Sequence, residues 1–97
     1  MKVEMSERVR TTLNTLNNGD RERVRTWLNY LERWEEDPFA KNHSVELNVD
    51  GQTVYLFQTS TDDRIFYKMD QARQTVFVLE ITNRDMILSF GSLAGGG

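Results

Sequence analysis

A chain of 97 residues is long enough for one small core, and 38% hydrophobic residues with two Trp, three Tyr and five Phe are enough to fill it. The lack of cysteine excludes a disulfide framework, a thiolate metal site and a cysteine nucleophile. A formal charge of -3 disfavours direct binding to free DNA, and no leader or membrane span is legible in "MKVEMSERVR", so the expected location is the cytoplasm.

"KVEM" alternates apolar and charged residues and predicts a short strand, with Ser6 as the N-cap of a helix carrying Val9, Leu13 and Leu16. "NNGD" predicts the end of that helix, with Asn18 and Gly19 in left-handed conformations and Asp20 capping the next. From Arg21 to about Glu36, Val24, Trp27, Leu28, Leu31 and Trp34 form one apolar stripe, with Arg21, Arg23 and Arg25 mostly outside it, until Pro38 ends the helix. The pair predicts an antiparallel αα-hairpin.

After a polar connection the period changes to two. "VELNV", "TVYLFQT", "RIFYKM" and "TVFVLEI" read as antiparallel strands joined at Asp50-Gly51, "TSTDD" and "DQAR", with "MILSF" as a further short strand. Alternation assigns Val54, Leu56, Ile65, Tyr67, Met69, Phe77, Leu79 and Ile81 to the face under the helices. The opposite face then carries Tyr55, Phe57, Arg64, Phe66, Lys68, Val76, Val78 and Glu80, an apolar surface with cations and no second layer to cover it. The alternative is that the connection around residues 38 to 48 covers Tyr55 and Phe57. Arg64 could serve an anionic target or pair with Asp62, Asp63 or Glu80. No phosphate loop or zinc spacing occurs, His43 stands alone, and no cofactor or metal is expected.

"KVEMSERVRTTLNTL", "DRIFYKMD" and "TVFVLEITNRD", in this order, are similar to the opening strand and helix, the arginine-led central strand and the following strand of the RelE/ParE superfamily of bacterial toxin-antitoxin toxins. The resemblance covers nearly the whole chain. It implies an α+β fold in which a short N-terminal strand leads into an αα-hairpin packed on one face of a small antiparallel sheet. A single domain over 1–93, followed by a flexible glycine-rich tail at 94–97, is the expected organisation.

In the ribosome-dependent RNases of this superfamily, arginines at the places of Arg64 and Arg84 stabilise charge on the scissile phosphate, which makes these two the candidate catalytic residues. Some members place lysines nine and seven residues before the first arginine, where this chain has Tyr55 and Phe57. An aromatic acid-base residue follows the second arginine by six, where Phe90 has no hydroxyl. The resemblance therefore implies a toxin that inhibits by binding, as ParE does, through Tyr55, Phe57, Phe66, Lys68 and Phe90. A small antitoxin is the expected partner and DNA gyrase or the ribosome the expected target. Two other readings stay open: a RelE-type mRNA endoribonuclease using Lys68 or Tyr55 for proton transfer, and a non-toxic interaction module.

Overall fold

The computed structural model describes residues 1–83. Arg84, Phe90, "MILSF" and the 94–97 tail lie outside the described residues.

The chain opens with strand β1 (Lys2–Met5) and helix α1 (Glu7–Thr15), whose first turn is capped by Ser6 accepting from the Val9 amide at 3.2 Å. Helix α2 (Asn18–Glu32) begins earlier than its apolar stripe predicts. Its N-cap is Asn17, whose Oδ1 accepts from the Asp20 amide at 2.8 Å, so Asn18, Gly19 and Asp20 form its first turn. The expected left-handed ending of α1 at Asn18 and Gly19 is therefore replaced by an extended Leu16. Arg21 closes this junction: its guanidinium donates to the carbonyls of Leu13, Asn14 and Leu16 at the C-terminal end of α1, where the Leu16 amide also donates to the Leu13 carbonyl.

α2 also stops earlier than expected, at Glu32, and Trp34 lies in the turn beyond it. Pro38 then caps a four-residue helix α3 (Phe39–Asn42), within the segment expected as a polar connection. Phe39 is the reason for that helix. Its ring packs against Trp27, Tyr30 and Phe57, with centroids 6.2, 4.6 and 6.2 Å away.

Strands β2 (Ser44–Val49), β3 (Gln52–Gln58), β4 (Asp63–Asp70) and β5 (Thr75–Asn83) follow as an antiparallel meander. The β2–β3 turn is the predicted Asp50-Gly51 pair, with φ of 51° and 79°, the left-handed conformations that a two-residue hairpin loop requires. β1 adds to the far edge alongside β5, giving the order β1-β5-β4-β3-β2. That pairing is parallel, so the sheet is mixed where an antiparallel one was expected; the intervening chain returns to the edge rather than folding back on β1.

The αα-hairpin and α3 cover one face of the sheet. Val9, Val24, Trp27, Leu28, Leu31 and Ala40 meet Phe57, Ile65, Tyr67, Val76, Val78 and Ile81 there. Each large apolar side chain so buried contributes about 1.5–3 kcal/mol.

The face assignment read from alternation is correct for β4 and reversed for β3 and the first half of β5. Gln58 pairs with Arg64, so five residues separate two directly opposed positions, and odd-numbered residues of β3 share a face with odd-numbered residues of β4. Tyr55 and Phe57 thus join Ile65 and Tyr67 on the helical side, while Val54 and Leu56 point the other way. In β5 a bulge shifts the parity: Tyr67 pairs with Val78 but Phe66 with Glu80, leaving Leu79 as the extra residue. Val76 and Val78 are consequently buried, and Phe77, expected in the core, is 37% exposed.

Polar groups at the edge of this core are paired in sequence. Trp34 Nε1 donates to the Tyr67 hydroxyl at 3.3 Å, that hydroxyl lies 2.6 Å from Ser44 Oγ, and Ser44 Oγ donates to the Ala40 carbonyl at 2.6 Å. Burial raises the Tyr67 pKa, with the hydrogen bonds it shares with Ser44 and Trp34 opposing the rise. Tyr67→Phe is expected to cost about 1–2 kcal/mol, because Trp34 and Ser44 each lose a partner; urea denaturation will measure it.

Candidate functional site

The face of the sheet away from the helices is built by the same register. β2 contributes Val45, Leu47 and Val49; β3 contributes Val54, Leu56 and Gln58; β4 contributes Arg64, Phe66 and Lys68; and β5 contributes Phe77, Glu80 and Thr82. Val45 and Val49 are 45% and 49% exposed. Val54 is 6% exposed yet separate from the cluster beneath the helices. Such an apolar surface on one side of a small domain is the usual mark of an interaction site.

Arg64 stands at the head of β4 on this face, between Gln58 across β3 and Thr82 across β5. Among the described residues it makes neither a hydrogen bond nor an ion pair, and it is exposed. Phe66 is the next residue along the same face, half-buried between Leu56 and Glu80. Glu80 is the diagonal neighbour of Arg64, about 7–8 Å away by sheet geometry, and lies 3.9 Å from the Arg8 guanidinium. Lys68 is four residues from Arg64, about 13 Å along the strand, and donates to Gln52 Oε1.

Of the residues singled out in the sequence, Arg64, Phe66 and Lys68 share this surface. Phe57 does not. It is 0% exposed, with its ring set edge-on to Trp27 at 6.0 Å, and it is a core residue rather than a partner contact. Tyr55 is also on the helical side, stacked on Tyr67 at 5.3 Å, so it cannot exchange a proton with a substrate held by Arg64. The β3 positions that do face Arg64 are Val54, Leu56 and Gln58, and none is ionisable. Phe39, in the 38–48 connection, packs on Phe57 at 6.2 Å, but it does so on the helical side of the sheet and not over the outer face.

Sequence reasoning missed the polar cluster that holds the head of β4. Asp63 was read as a turn residue, but it is 1% exposed and faces the helices. Arg23 reaches it from α2 with Nε at 2.8 Å and Nη2 at 3.2 Å, a two-pronged contact. Thr61 Oγ1 donates at 2.7 Å and Asn83 Nδ2 at 2.8 Å, while Trp27 Nε1 donates to Thr61 Oγ1 at 2.9 Å. Burial alone would push the Asp63 carboxyl up, but the hydrogen bonds from Arg23, Thr61 and Asn83 and the Arg23 charge outweigh it and hold the pKa below the ordinary value. The hydrogen bond to Asp63, with Asp20 adding to it, raises the pKa of Arg23 against its own burial. The signal was available: Asp63, Ile65 and Tyr67 occur at spacing two, and a carboxylate on a core face requires a cation.

The cluster ties α2 to β4 and β5 one residue before Arg64, since Asp63 and Asn83 are cross-strand partners. It therefore fixes the backbone from which Arg64 projects to the opposite face. Among the described residues no group of His, Asp and Glu could hold a metal ion, and no helix is long and apolar enough to cross a membrane.

No protein-family model matches the sequence, and no curated protein matches it. Solved structures do resemble the fold. The archaeal RelE-RelB complex from Pyrococcus horikoshii contains a chain with a TM-score of 0.62 at 19% identity, over 86% of this chain and 93% of that one. The isolated E. coli RelE toxin gives 0.63 at 17% identity over 96% of both. The RelBE2 toxin-antitoxin complex from Mycobacterium tuberculosis gives 0.56 at 17% identity, over 86% of this chain and 96% of that one.

Proposed function

From the premise that this chain has the RelE toxin fold, we propose that it is the toxin of a toxin-antitoxin pair and arrests growth by binding a cellular macromolecule through the outer face of its sheet. The carrying observation is Arg64, exposed and without a hydrogen bond or ion pair among the described residues, set beside Leu56 and Phe66. This arrangement supplies a cation and apolar contact area, with Lys68 at the far end of the strand. Hydrolysis of RNA would also need a base for the 2'-hydroxyl and an acid for the leaving oxygen, and β3 offers neither on this face. Binding is therefore favoured over efficient cleavage. RelE structures solved with their antitoxins supply the analogy for a small antitoxin partner, and DNA gyrase or the ribosome is the proposed target. Arg84 and Phe90, outside the described residues, are proposed to take part in the same function.

Induced expression in a bacterial host is the test. Growth arrest by the wild type and relief by Arg64→Ala are expected. Thermal stability should change by less than about 0.5 kcal/mol, because the side chain is exposed and unpaired. Harmless expression of the wild type would remove the reading. The alternative of a ribosome-dependent mRNA endoribonuclease is favoured by one register position, Glu80 diagonal to Arg64 on the same face, as a candidate proton acceptor. Cleavage of mRNA on purified ribosomes that Glu80→Gln abolishes would select it over binding.

A further inference from the structure

On the helical side of the sheet, near its β2 edge, lies a cavity of about 390 Å³. Its walls are the rings of Trp34, Tyr55 and Tyr67, and its polar lining is Lys41, Ser44 and Glu46. The walls are held in place before any ligand arrives: Trp34 Nε1 is tied to the Tyr67 hydroxyl at 3.3 Å, and Tyr55 stacks on Tyr67 with ring planes 19° apart. The Tyr67 and Ser44 hydroxyls are satisfied by each other, by Trp34 and by the Ala40 carbonyl, so neither is left to select a ligand.

Two charges remain. Glu46 stands directly opposite Tyr55 across the β2–β3 ladder, and its carboxylate has neither a hydrogen bond nor an ion pair among the described residues. The Lys41 ammonium lies over the Trp34 ring, 5.3 Å from its centroid, also without a hydrogen bond or ion pair among the described residues. An ammonium set against a ring face with no acceptor is held by the electron-rich π-system. The cavity thus already takes a cation, one that the chain itself supplies. Lys41 is exposed, so that contact is weak enough for its flexible stem to swing away.

We infer that this cavity binds a quaternary ammonium group, which takes the place of the Lys41 ammonium against Trp34 with the Glu46 carboxylate beside it. A quaternary ammonium has no N–H to satisfy, so ring faces and one carboxylate suit it. A primary ammonium or a guanidinium needs several acceptors, and Glu46 is the only free one in the lining. An anion would meet the negative faces of the rings and the Glu46 charge. Arg64 and the toxin reading play no part in this site, which lies on the other side of the sheet.

Titration of the isotope-labelled wild-type protein with choline, followed by NMR, tests it. Of the two tryptophan indole signals, that of Trp34 should move saturably while that of Trp27, buried in the core, stays in place. Lys41→Ala should tighten binding about threefold by removing the competing cation, and Glu46→Gln should weaken it at least roughly fivefold. Both side chains are exposed, so both variants are expected to fold. Arg25→Ala and Glu22→Gln, which make the same charge changes on α2, should leave the affinity unchanged. The neutral carbon isostere of choline should bind at least roughly tenfold more weakly. An unresponsive Trp34 signal or equal binding of the neutral isostere would overturn the inference, as would weaker binding by Lys41→Ala, which would mean that the lysine receives an anionic group. A trimethyllysine peptide that binds more tightly than choline would place the ammonium on a modified protein, and one that binds no more tightly would leave a small free cation as the ligand.

Discussion

Asp63→Asn is expected to destabilise the fold by about 3 kcal/mol, which for a domain of this size lowers Tm by roughly 12 °C or more. The carboxylate is 1% exposed and accepts from three side chains. Asparagine keeps the shape but removes the charge that compensates Arg23, and its NH2 group faces donors where an acceptor stood. Arg23 then retains only Asp20, to which its Nη1 is also paired. Urea denaturation should show a lower midpoint at an unchanged slope, since the surface exposed on unfolding stays the same.

The same variant has a pH signature. The folded-state pKa of Asp63 is depressed, so its stabilisation is fully present above the ordinary carboxylate value of 3.8 and is lost as pH falls from there through the lower folded value. Other carboxylates titrate in both proteins and cancel in the difference. The stability gap between wild type and Asp63→Asn should therefore be constant above that range and narrow below it. Parallel curves down to the lowest accessible pH would mean that the carboxylate charge contributes nothing.

Phe57→Ala carries the second large effect, about 3–5 kcal/mol lost from the core. The ring is fully buried and packs edge-on to both Trp27 and Phe39, so truncation opens a cavity between α2, α3 and β3. Phe66→Ala is the informative companion. Phe66 is only half-buried on the opposite face, so its loss should cost markedly less stability while weakening growth arrest. Chemical denaturation of the two variants checks the face assignment directly. Equal stability losses would mean that the outer face is as well packed as the core.

Two adjacent phenylalanine-bearing strands thus have different roles, although both read as the same alternating pattern. The stripe Val24, Trp27, Leu28 and Leu31 was legible because a helix buries one side whatever it packs on, and the stripe names that side. A strand has two sides, and alternation names the sets without saying which is covered. In β4 the apolar and charged sets differ enough to decide, with Ile65 and Tyr67 against Arg64 and Lys68. In β3 both Val54/Leu56 and Tyr55/Phe57 are apolar, and composition cannot choose between them.

Local chemistry in the chain determined the two long helices and the strands, the Ser6 cap, the Asp50-Gly51 hairpin, the order of strands in the meander and the outward placement of Arg64, because each follows from residues a few positions apart. Tertiary structure decided the rest. The five residues between Gln58 and Arg64 and the extra residue at Leu79 set which faces of β3 and β5 are covered. The meeting of Arg23 with Asp63, 40 positions apart, exists only once α2 lies on the sheet. Parity and long-range pairing depend on how strands are joined and laid together, and no window of sequence contains that information.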